Sequence, residues 1–159
     1  MKFIIHFILF AFLISLYSCN NKLEKSHFEL AHSENILSFS NYYVIQWEDT
    51  LHENMVTLDS TIELQFVGVS GFKLYNNNAF VGASMTLKDS TGAILFQDQD
   101  LFLDYDSIGF DPEMVKARVG IFLVTSHPMV KGGTYSWSTK IWDKKGEGEI
   151  KTEAIIKIK

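Results

Sequence analysis

The chain has 159 residues, 47% of them hydrophobic and 14% aromatic, with 19 acidic residues against 14 Lys and Arg and a single cysteine. That composition supports one packed domain and argues against disorder, while an acidic balance without a basic stripe argues against nucleic acid as a partner. One cysteine excludes an intramolecular disulfide and a cysteine-based metal cluster, so stability has to come from apolar burial.

The first element in the chain is Lys2 followed by the apolar run Phe3 to Ile14, interrupted only by His6 and closed by Ser15-Leu16-Tyr17-Ser18-Cys19. A basic start, an apolar core of roughly 7–15 residues and a small residue at the end make an export signal. A spanning helix needs about 20 apolar residues, and this run meets Ser15, Ser18 and Asn20-Asn21-Lys22 too soon. Leu16, Ser18 and Cys19 resemble the lipobox of the bacterial lipoprotein family, in which Leu stands three positions before an invariant Cys and a small residue just before it. Tyr17 is bulkier than the Ala, Ser or Thr usual at its position.

The resemblance implies cleavage before Cys19, a diacylglycerol thioether on its sulfur and fatty chains of the palmitate class that anchor the protein in a lipid bilayer. Each buried CH₂ of such chains contributes about 0.8 kcal/mol. It also accounts for a lone thiol in an exported protein. Asn20 is not the acidic residue associated with inner-membrane retention in some bacteria, so the expected address is the cell envelope, the outer membrane before the inner. The expected organisation is a signal peptide over 1–18, a lipidated Cys19 with a polar tether over 19–40, and a folded domain over 41–159. Local structure is expected inside the tether only from Phe28 to Leu37.

Strand signals then follow one another. Tyr42 to Trp47 is apolar and aromatic. Ser60 to Val69 alternates, with Ile62, Leu64 and Phe66 on one face and Glu63 and Gln65 on the other. Phe80 to Leu87 places Val81, Ala83, Met85 and Leu87 together, turns at Asp89-Ser90-Thr91-Gly92 and returns through Ala93 to Gln97. Asp100 to Tyr105 alternates Leu101, Leu103 and Tyr105. Asp111-Pro112-Glu113 signals a short helix start, and Val115 to Val124 reads as the next strand. Tyr135, Trp137, Thr139 and Ile141, then Ile150, Thr152, Ala154, Ile156 and Ile158, flank a turn at Asp143-Lys144-Lys145-Gly146 and predict a long antiparallel hairpin with one wet face.

Strands of this kind with almost no helix predict an all-β fold, an antiparallel sandwich of seven to nine strands. Met129 to Trp137, with Gly132, Gly133 and Tyr135, resembles the apolar-x-x-Gly-x-x-Tyr stretch of immunoglobulin-like and fibronectin-type domains. The resemblance implies a Tyr135 hydroxyl closing a corner onto nearby backbone. The Cys-Trp-Cys core of antibody domains is absent.

Motifs for chemistry are sparse. Gly68-Val69-Ser70-Gly71 lacks the spacing of a nucleophile elbow. His27, His32, His52 and His127 form no metal-binding pair, and no phosphate-cradling glycine loop is present. The catalytic inventory is therefore empty and the chain reads as a non-enzyme. Asp98, Asp100, Asp104, Asp106, Asp111 and Glu113 form an acidic stretch whose oxygens suit Ca²⁺, with Asp100, Asp104, Asp106 and Asp111 as its ligands, although the spacing departs from an EF-hand. Trp142, whose parity points it to the polar face, and Tyr105 are candidate binding aromatics.

The expected function is a membrane-anchored, non-enzymatic protein-interaction module that engages an envelope partner by edge-strand addition or loop contacts. The alternative is a calcium- or glycan-binding sandwich that uses the Asp98–Glu113 loops.

Overall fold

A computed structural model describes residues 28–159. The expected signal peptide, Cys19 and the first part of the expected tether lie outside the described residues.

Strand-length alternation dictates the architecture. Eight strands of five or more residues are β1 (Ala31–Asn35), β2 (Asn41–Gln46), β5 (Ser60–Val67), β6 (Val81–Asp89), β7 (Ile94–Asp98), β8 (Val119–Thr125), β9 (Thr134–Asp143) and β10 (Glu149–Ile158). Two-residue strands β3 (Asp49–Thr50) and β4 (Met55–Val56) complete the set. One sheet runs β1-β10-β9-β6-β7, with β4 added in parallel to the end of β10; the other runs β3-β2-β5-β8. All other pairings are antiparallel, and the fold is a β-sandwich.

Period two in the sequence becomes burial in the core. Ile62, Leu64 and Phe66 of β5, Val81, Ala83, Met85 and Leu87 of β6, and Tyr135, Trp137 and Ile141 of β9 all face inward. Ile150, Ala154, Ile156 and Ile158 of β10 join them. Thr139 and Thr152, directly opposite each other on β9 and β10, satisfy their hydroxyls with a mutual 2.8 Å hydrogen bond inside this apolar layer. At one edge of the core, Gln46, Ser60 and Thr125 form a buried polar knot in which Gln46 Nε2 donates to Ser60 Oγ at 2.6 Å.

Four expectations need correction. The sandwich already includes residues 28–40, ahead of residue 41: β1 pairs with β10 from Ala31 opposite Glu153 to Asn35 opposite Glu149, and Phe28, Leu30 and Leu37 are buried. Asn54 clamps the start of this segment, donating to the Glu29 and Ile155 carbonyls at 2.9 Å, while its Oδ1 accepts from Glu29 N at 2.7 Å. The polarity of Ala31 to Asn35 hid the strand because an edge strand facing water has no apolar side to show.

Asp100 to Tyr105 is a turn followed by a 3-10 helix over Leu103–Tyr105, because the Asp98 and Asp100 carboxylates accept from Asp100 N and Phe102 N and curl the backbone. The strand expected from Val115 starts only at Val119, since the Asp111 cap and Pro112 carry the helix α1 through Pro112–Ala117. Trp47 leaves strand β2 at a turn with φ 52° and points into solvent.

The Met129–Tyr135 corner is closed by the tyrosine hydroxyl. Val130 N donates to Tyr135 Oη at 2.8 Å. Gly132 turns the chain at φ 79°, and a Cβ at Gly133 would come within 2.5 Å of the same hydroxyl.

Candidate functional site

Two ends of the sandwich divide the candidate residues. Asp143 at the end of β9 pairs with Val81 at the start of β6, so the 143–149 turn, the 99–111 loops and α1 gather at the end opposite the Tyr135 corner.

The acidic stretch converges on a lysine. Lys144 Nζ lies 2.6 Å from Asp100 Oδ2, contacts Asp106 Oδ1 and donates to the Phe102 carbonyl at 3.3 Å. Burial pulls the Lys144 ammonium toward the neutral form, but hydrogen bonds and attraction from the two carboxylates outweigh it and hold its pKa above the ordinary value. Asp111 is occupied elsewhere: its Oδ1 accepts from Glu113 N at 2.8 Å and Met114 N at 3.3 Å as the cap of α1. Asp104 sits in the 3-10 helix. Among the described residues no group of three or more His, Cys, Asp or Glu side chains is placed to hold a metal ion. Of the four expected calcium ligands, Asp100 and Asp106 thus hold Lys144 and Asp111 caps α1; sequence proximity does not reveal that an ammonium from the next hairpin sits with the carboxylates.

Tyr105 stacks on Phe110, with ring centroids 4.5 Å apart, so its ring serves the loop's own packing. Trp142 lies over Gly82 of β6; a Cβ there would meet its indole at 2.1 Å, and only glycine leaves the room. Lys140 Nζ sits 5.7 Å from the Trp142 ring centroid. Trp142, Ser84, Thr86, Gln97, Gln99 and Glu149 line a shallow depression of about 470 Å³ on the outer face of the larger sheet. Glu149 is held down to a pKa of about 2, first by its hydrogen bond with Lys140 and then by Lys151.

A second depression, of about 420 Å³, lies beside α1 and the start of β8. Its walls include Phe102, Phe110, Met114 and Phe122, with Glu63 and Arg118 as the charged residues. Sequence reading placed Glu63 on the wet face of its strand and gave it no role. A cue was available in Gly120, since a glycine inside a strand marks close approach by a neighbouring group.

The edges of the two sheets differ. β1 presents Ala31-His32-Ser33-Glu34-Asn35 to water, with His32 and Glu34 3.7 Å apart. β3 is two residues long. β7, the last strand of the larger sheet, carries Ile94 and Phe96, which are 56% and 44% exposed. Phe96 pairs with Leu87 and so shares its core-facing side, yet remains open where Leu87 is buried.

No protein-family model and no curated protein sequence matches the chain. A solved structure, the C-terminal domain of wzt, is similar with a TM-score of 0.52 at 12% identity, covering 82% of this chain and 78% of that one. At that identity the likeness concerns the fold alone, and it agrees with the sandwich described above. Among the described residues no helix is long and apolar enough to cross a membrane.

Proposed function

We propose that the protein is an envelope lipoprotein, held at a bilayer by fatty chains on Cys19, that acts as a non-enzymatic module and receives a protein partner along strand β7. The reading of the anchor is supported by the Lys2–Cys19 pattern. The reading of the partner edge is supported by one observation: Phe96 faces the core side of the larger sheet and is still 44% exposed. An end strand offers unpaired backbone donors and acceptors, and natural edges are blunted by charge, shortness or cover. β1 has the first protection and β3 the second, whereas Ile94-Leu95-Phe96 has neither, a property it shares with β8 at the end of the smaller sheet. A partner strand laid beside β7 gains main-chain hydrogen bonds and covers the two side chains. The calcium alternative draws no support from the loops, whose Asp100 and Asp106 already hold Lys144.

Two measurements test this reading. Labelled palmitate is expected to enter the wild-type protein and not Cys19→Ala, with the variant lost from the membrane fraction; unlabelled wild-type protein and an unchanged fractionation would remove the anchor. A photoreactive residue at position 96 of the membrane-bound protein is expected to capture a different protein, while the same group at the exposed Lys157 does not. An adduct of twice the chain's own mass would instead mean a second copy, and no adduct at 96 would remove the partner edge.

A further inference from the structure

Glu63 stands on β5 opposite Phe122 of β8, on the outward face of the smaller sheet. Its side chain is 13% exposed. Gln65 Nε2 donates to Glu63 Oε2 at 2.9 Å. The other oxygen, Oε1, is buried and accepts no hydrogen bond from any described residue. Arg118 Nε lies 3.9 Å from it, close enough for charge attraction and too far for a hydrogen bond. The carboxylate folds across Gly120, where a Cβ would come within 2.2 Å of Oε1. Glu63 is one of the residues lining the depression of about 420 Å³ walled by Phe102, Phe110, Met114 and Phe122.

Buried acceptors are almost always paired with protein, ordered water or a ligand. The volume falls in the range of small-molecule sites, roughly 300–1,000 Å³, and the lining has their usual character of apolar walls with few polar groups. Charge narrows the chemistry. A carboxylate and a guanidinium side by side nearly cancel, so a cation drawn to Glu63 meets Arg118 and an anion drawn to Arg118 meets Glu63. An uncharged hydroxyl escapes both repulsions: it donates to Oε1 and a neighbouring hydroxyl oxygen accepts from the guanidinium. The C–H face of the same molecule packs on the Phe122 ring, which is 55% exposed.

We propose that this groove binds an uncharged saccharide unit, with Glu63 and Arg118 holding hydroxyls and Phe122 packing against the ring. The site belongs to the smaller sheet and stands apart from the partner edge at β7, so neither reading depends on the other. It also differs from the acidic loops that the sequence nominated, although Phe102 and Phe110 of that stretch help to wall it.

Saturation-transfer NMR on the full-length protein in detergent micelles tests the assignment with three matched sugars: N-acetylglucosamine, protonated glucosamine and glucuronate. N-acetylglucosamine is expected to bind about tenfold or more tightly than either charged sugar, a difference of about 1.4 kcal/mol. Glu63→Gln and Phe122→Ala are each expected to weaken it by a similar factor with the melting temperature unchanged. If Glu63→Gln does not fold, Phe122→Ala, at an exposed ring, decides alone. Equal binding of all three sugars, binding untouched by the variants, or no binding at tens of millimolar sugar overturns the proposal; the last result would leave water as the partner of Oε1.

Discussion

Tyr135 shows how much one hydroxyl can fix. Its ring is buried in the core, while its oxygen reaches back five residues to accept from Val130 N. Tyr135→Phe keeps the ring and strands that N–H, so a loss of about 1 kcal/mol is expected in urea unfolding; an unchanged midpoint would show that water replaces the hydroxyl at no cost. Glu149 makes a second residue-scale case. Lys140 and then Lys151 hold its folded pKa at about 2 against an ordinary 4.5. A depressed acid contributes stability that is present above its unfolded pKa and lost as pH falls through its folded one, so this contribution disappears between pH 4.5 and 2. NMR titration of the Glu149 carboxyl is expected to give that low value, and Lys140→Met is expected to move it back toward 4.5. Lys144 has the opposite sign: with its pKa raised, its contribution holds below the ordinary lysine value of 10.5 and is lost as pH climbs through the raised one.

At the scale of elements, legibility followed the contrast between a strand's two faces. The β9–β10 hairpin was readable because each inward residue from Tyr135 to Ile141 and from Ile150 to Ile158 is apolar or Thr, while Lys140, Lys151 and Glu153 face out. β1 was not readable, because its five residues are all exposed and its membership rests on backbone pairing with β10 and on its flanks. Phe28→Ala separates the two descriptions of this segment. In a tether the change is worth less than about 0.5 kcal/mol; at a position only 1% exposed it is expected to cost about 3–5 kcal/mol in chemical denaturation. The 3-10 helix at Leu103–Tyr105 was missed for another reason. Alternating Leu101, Leu103 and Tyr105 mimics a strand, and carboxylate-to-backbone hydrogen bonds from Asp98 and Asp100 override the pattern.

For the whole molecule, the fold class was legible because alternation and turn residues recur along the chain, whereas the candidate sites are assembled across it. Lys144 joins Asp100 and Asp106 from 44 and 38 positions away. Glu63, Arg118 and Gly120 meet only because β5 and β8 are neighbours. No spacing rule within one strand announces such meetings. Sheet order has a temporal side as well. β1, the first described strand, closes against β10, the last, and β4 also rests on β10. A chain leaving the ribosome or a translocation pore from its N-terminus therefore carries Ala31–Asn35 without a mate until its final ten-residue strand emerges. The closing segment works as a keystone: a stop codon ahead of Glu149 would leave β1 and β4 without a sheet partner and β9 paired on one side only, giving a nascent polypeptide that depends on quality control for its survival.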